Sequence, residues 1–176
     1  PAHDIRESQW TTLIEGRDTS YIRSFQCFDQ WIVVEERVEG LDQIRIIDRA
    51  GNIETVPFPE TVFSAHLGSN SEYVTDEIRL GYASMITPDT VYEVTAQSLR
   101  LTVKKEREIP SGYDKSHYST QRILAPARDG ASIPVSIVHR VDTPLDGSAP
   151  LYLYGYGAYG AALASSFSTA RLSLLD

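Results

Sequence analysis

The residues best suited to chemistry lie near the end of the 176-residue sequence, in the run Leu151-Tyr-Leu-Tyr-Gly-Tyr-Gly-Ala-Tyr-Gly160. Tyr154, Tyr156 and Tyr159 carry phenolic donors, and Gly155, Gly157 and Gly160 open backbone conformations closed to other residues. Leu151 to Tyr154, an apolar run after Pro150, reads as a short buried parallel strand that breaks into this loop. Hydroxyl donors on a mobile backbone at a strand end suit the stabilisation of a developing oxyanion. The plainer alternative is a glycine-rich turn with tyrosines packed beneath it.

Composition narrows the classes of partner. A formal charge of -8 argues against a nucleic-acid backbone, whose binding needs a basic surface, and is compatible with cationic substrates. No apolar run approaches the roughly 20 residues needed to span a bilayer, so no membrane partner is expected. The single cysteine, Cys27, excludes an intrachain disulfide and suggests a reducing, cytoplasmic setting. No His/Cys/Asp cluster has metal-ligand spacing, and no cofactor is expected. The start Pro1-Ala-His-Asp-Ile-Arg6 lacks the features of a signal peptide and has no initiator Met, which suggests a piece of a longer protein.

The elements upstream repeat. Asp29-Gln-Trp-Ile-Val-Val aligns with Asp76-Glu-Ile-Arg-Leu-Gly at an offset of 47, and the segments from Gln43 and Asn52 align with those from Thr90 and Leu99 at the same offset. Each copy holds three short runs rich in Val, Ile, Thr and Tyr, separated by turn residues such as Glu39-Gly40 and Ala50-Gly51-Asn52. A fourth run precedes each set, Tyr21 to Phe28 and Val62 to Leu67. Four antiparallel strands recurring every ~40–50 residues are the signature of β-propeller blades. Ser8 to Ile14 then reads as the outer strand of a preceding blade, and Trp31, Ile44, Ile46, Ile78 and Val91 as core between blades. A β-sandwich is the competing architecture, but its strands rarely repeat by sequence.

The charged run Lys104 to Glu108 and the breakers Pro110 and Gly112 mark a boundary. The division expected is residues 1–108 as blades, 109–117 as linker and 118–176 as a second domain. In the latter, Ser119 to Ala125 and Ile133 to Arg140 read as strands around the Asp129-Gly130 turn. Asp142 to Pro150 is a loop, and Ala161 to Asp176 holds a short helix.

Arg128-Asp-Gly-Ala-Ser-Ile-Pro-Val-Ser-Ile-Val-His-Arg140, Pro150 to Gly160, and Phe167 to Asp176 follow one another as they do where the catalytic domain of prolyl oligopeptidase-family serine peptidases begins. The form Tyr-Gly-Tyr-Gly-Ala-Tyr-Gly resembles the oligopeptidase B (protease II) branch, as do Tyr82 to Tyr92 and Gly112-Tyr-Asp114. This resemblance implies a mostly β chain, a partial β-propeller followed by the first strands of an α/β-hydrolase domain. It implies a parent that hydrolyses short peptides after Arg or Lys, with peptide as partner. In the family, the second tyrosine of the motif donates to the oxyanion, and it matches Tyr156.

The nucleophile elbow Gly-x-Ser-x-Gly that such a hydrolase needs is absent, since Ser165-Ser-Phe-Ser168 lacks the glycines. His3, His66, His117 and His139 lie upstream of where the family's histidine falls. The chain alone is therefore expected to be inactive, and its incomplete propeller to self-associate. A non-catalytic propeller module for protein interaction is the alternative. An acylaminoacyl- or dipeptidyl-peptidase of the same superfamily is a further rival, which the loop form disfavours.

Overall fold

The computed structural model describes residues 6–176 and is mostly β. Two four-stranded antiparallel meanders come first: β1 (Ser20–Cys27), β2 (Trp31–Val38), β3 (Leu41–Asp48) and β4 (Ile53–Thr55), then β5 (Phe63–Leu67), β6 (Glu77–Ser84), β7 (Thr90–Thr95) and β8 (Arg100–Glu106). Each sheet keeps sequence order, as blades do. The turn between β2 and β3 has Glu39 at φ 48° and Gly40 at φ 81°, the left-handed pair that a two-residue type I′ hairpin demands.

The blades pack face to face, with β3 against β5. Val33, Ile44 and Ile46 of the first meet Ile78, Leu80, Tyr82, Tyr92 and Val94 of the second, and Phe58 from the connecting segment stacks on Tyr82 at 5.2 Å. Burial of each such side chain stabilises by about 1.5–3 kcal/mol. Ile44, Ile46 and Ile78 are core as expected, and Trp31 packs at its margin. Val91 is not: the alternation in β7 turns Thr90, Tyr92 and Val94 inward and leaves Val91 half-buried on the opposite face. The expected strand from Ser8 to Ile14 is also absent, replaced by a 3-10 turn at Glu7–Gln9 followed by irregular chain. A strand exists only through its ladder, and none of the described strands offers this segment one.

Between the blades lies a buried charge network. Arg37 donates from Nε and Nη2 to Asp42 Oδ1, at 2.9 and 2.7 Å, and Arg23 reaches the same oxygen at 3.1 Å. The ladder between β1 and β2 slips between Ile22 and Ser24, leaving Arg23 as the extra residue of a bulge, which re-aims its side chain. Asp42 Oδ2 accepts from Ser64 Oγ at 2.8 Å and the Ala65 amide at 3.3 Å, and Glu35 accepts from the Leu67 amide at 3.0 Å. On the opposite face of the first blade, Arg45 pairs with Glu36 at 2.6 Å. Burial is tolerated because each charge meets an opposite one.

Segment 107–117 leads from β8 to the antiparallel hairpin of β9 (Tyr118–Pro126) and β10 (Ser132–Arg140), in register from Tyr118↔Arg140 to Pro126↔Ser132. Its turn has Gly130 at φ 87°, consistent with the Asp129-Gly130 signal. The short helix α1 (Thr169–Leu172) begins at Ser168, whose hydroxyl accepts from the Arg171 amide at 3.2 Å, and buries Leu172.

Candidate functional site

The tyrosine loop begins at Leu151, eleven residues after the end of β10, beyond the Asp142 to Pro150 connection. Leu151 to Tyr154 forms no strand, and its side chains are between 67% and 82% exposed. This corrects the buried parallel strand expected there. An apolar run becomes a buried strand only between flanking strands, and among the described residues none pairs with it. At the tip, Tyr159 has φ 57° and Gly160 φ 64°, and the Ala161 amide closes a turn onto Ala158 O at 3.1 Å. Tyr156 is 53% exposed and Tyr159 98%. The hydroxyls of Tyr154, Tyr156 and Tyr159 make no hydrogen bond to another described residue, so each is a free donor in this conformation.

The chain on either side is held. Ser165 Oγ lies 3.5 Å from Ser136 Oγ of β10. Phe167 meets Tyr113 edge-on at 5.2 Å, and Tyr113 stacks on Tyr118 at 5.8 Å. Asp176 accepts from Tyr118 Oη and Arg140 Nη1, both at 2.8 Å, and these two donors hold its carboxyl below the usual aspartate value. Burial pushes the Tyr113 phenol up, and its hydroxyl donates to Ile86 O at 2.6 Å, fastening the linker to the second blade. The loop from Leu151 onward is thus a projection from an anchored base.

No nucleophile and base come together among the described residues. Ser168 is occupied as the α1 cap, and neither it nor its neighbours faces a histidine. His66 lies over Gly81 so closely that a Cβ there would sit 2.2 Å from its Nε2. His117 is 3.9 Å from Asp114 in a 3-10 turn, and His139 is held by Arg140 O at 2.7 Å. His3 lies outside the described residues. Of the expected site, the structure places Tyr156 as an accessible phenol and brings no second catalytic group to it. Sequence reasoning missed the charge network. Its signal was the unbroken Glu35-Glu36-Arg37 in the middle of a strand, where an exposed face would give alternation.

Residues 1–107 match the family described as the N-terminal β-propeller domain of prolyl oligopeptidase. The chain is 39% identical over 177 residues to dipeptidyl aminopeptidase BI of Pseudoxanthomonas mexicana, covering 100% of this chain and 24% of that protein. It is 27% identical over 176 residues to protease 2 of Moraxella lacunata, covering 100% and 25%. Among solved structures, oligopeptidase B from Trypanosoma brucei with covalently bound antipain, in a closed form, superposes with a TM-score of 0.81 at 29% identity, over 93% of this chain and 24% of that one. Oligopeptidase B from Leishmania major gives 0.81 at 29% identity, over 96% and 25%. The chain spans about a quarter of the length of the curated relatives it matches.

Proposed function

Because the chain belongs to the prolyl oligopeptidase family of serine peptidases, we propose that it is the portion of an oligopeptidase that joins the last propeller blades, residues 1–108, through the linker 109–117 to the opening strands of an α/β-hydrolase domain, residues 118–176. The observation that carries this reading is the likeness across the whole chain to peptidases about four times its length, including the tyrosine loop beyond the matched propeller. The intact protein hydrolyses short peptides after Arg or Lys in a cytoplasmic setting, without a cofactor, nucleic acid or membrane as partner. Its nucleophile, acid and base come from elsewhere in the parent, so the 176 residues alone do not turn over peptide.

Tyr156 supplies the side-chain donor of the oxyanion hole. Such a donor works by being fixed in a dry site before charge develops. Its 53% exposure therefore has to be reduced by the rest of the parent protein. Tyr156→Phe in that parent keeps the ring and removes a hydrogen bond made chiefly in the transition state, so kcat/KM falls by about 10²–10³, with the melting temperature kept. Tyr154→Phe and Tyr159→Phe fall far less. Equal losses in all three variants would return the loop to a structural role.

A second reading rests on the 39% identity to a dipeptidyl aminopeptidase, higher than that to protease 2. An aminopeptidase of that kind needs a free substrate amine, which an endo-acting oligopeptidase does not. Hydrolysis of N-terminally blocked Arg or Lys peptides by the parent favours the oligopeptidase. Strict dependence on a free amine favours the rival. The non-catalytic module is the outcome if neither substrate is cut.

The isolated chain self-associates, because the edge strands β1 and β8 are largely exposed and present unpaired backbone. Sedimentation would show oligomers growing with concentration. A monomer throughout a wide range would refute this.

A further inference from the structure

The β9–β10 hairpin touches the blades at two separate places. One is the linker bond from Tyr113 to Ile86 O on the second blade, which reaches the hairpin base through the Tyr113–Tyr118 stack. The other is on the first blade, where Arg122 Nη2 donates to the backbone carbonyl of Glu39 across 83 positions of sequence. Beside it, a methyl group built on Gly40 would stand 3.3 Å from Cγ of Pro134. Arg122 lies opposite Ser136 in the hairpin ladder, and Pro134 is two positions further along, so both belong to one face of the hairpin.

A body held at one point keeps its freedom to rotate, whereas two separated points fix its angle. We infer that the Glu39–Gly40 turn is the seat of the hairpin, clasped by Arg122 and Pro134, and that this clasp sets the angle between the hairpin and the first blade. Gly40 serves it twice: φ 81° admits the turn, and the missing side chain admits the proline ring. Arg122 is then a positioning residue for everything the hairpin carries, including segment 165–176 and the tyrosine loop before it. The inference concerns geometry and stands whether or not the parent is a peptidase.

Gly51 provides a matched control, since it has φ 87° in a neighbouring turn of the same blade but no atom within 4 Å of its virtual Cβ. Both glycine variants strain a turn, and only Gly40→Ala crowds the seat. The experiment places spin labels on Cys27, which is exposed in the first blade, and on Arg128→Cys at the hairpin turn of the full-length protein, with other accessible cysteines replaced. Dilution with unlabelled protein leaves only intramolecular distances. The parent gives one narrow distance distribution. Arg122→Ala and Gly40→Ala broaden it or add a second population, Gly51→Ala leaves it unchanged, and Arg122→Lys, which still donates, restores most of the narrow peak. The seat is disproved if Arg122→Ala stays as narrow as the parent, or if Gly51→Ala broadens the distribution as much as Gly40→Ala. Because Arg122→Ala alters no backbone geometry, that arm decides the matter even if the Gly40 variant does not fold.

Discussion

Leucine and tyrosine meet opposite fates in the two halves of this molecule. In the second blade Leu80 and Tyr82 are 0% and 2% exposed, while in the tyrosine loop Leu153 and Tyr154 are 78% and 67% exposed. The residue types are the same, and each pair sits close together in a short segment. What differs is the neighbour. Leu80 and Tyr82 lie on the face of β6 that the first blade covers, whereas among the described residues no strand lies beside Leu151 to Tyr154. Burial belongs to the pair of surfaces, and a sequence pattern supplies only one of them.

The contrast breaks most sharply at the charges between the blades. Asp42→Ala removes the acceptor shared by Arg23, Arg37, Ser64 and Ala65 and leaves a buried guanidinium uncompensated. A loss of about 3–5 kcal/mol in unfolding free energy of the full-length protein is expected. Denaturant titration checks it, and a loss under 1 kcal/mol, the size of an exposed pair, would show that the network is not desolvated. Next comes a matched pair of leucines. Leu80→Ala opens a cavity in the packed face and costs about 2–5 kcal/mol, while Leu153→Ala in the isolated chain stays within roughly 0.5 kcal/mol. Equal costs would mean that the loop is buried in solution. A large cost for Leu153→Ala in the parent alone would sharpen the comparison, because it would show that the missing neighbour lies elsewhere in that protein.

How far the sequence was legible follows the same rule. The eight blade strands could be read because each copy carries its partners in the next few dozen residues, and Asp129-Gly130 announced its own hairpin. Ser8 to Ile14 and Leu151 to Tyr154 could not, since a strand exists only through its ladder and among the described residues none pairs with either segment. Val91 failed for a smaller reason. Val33 of β2 pairs with Ile46 of β3, thirteen positions on, whereas Leu80 of β6 pairs with Tyr92 of β7, twelve positions on, so the offset of 47 that holds for β2 and β6 flips the face between β3 and β7. Tyr156 was legible as a donor in a motif and not as a site, because a site needs the groups that converge on it.

The amides of Ala65 and Leu67 point away from β6, along the open edge of the second blade, and both are taken by carboxylates of the first. An extended peptide lying against β5 would have to displace Asp42 and Glu35 to form a ladder there. The side chains that hold the blades together thus also occupy the amides this edge would offer another strand, and keep it from acting as a template for pairing.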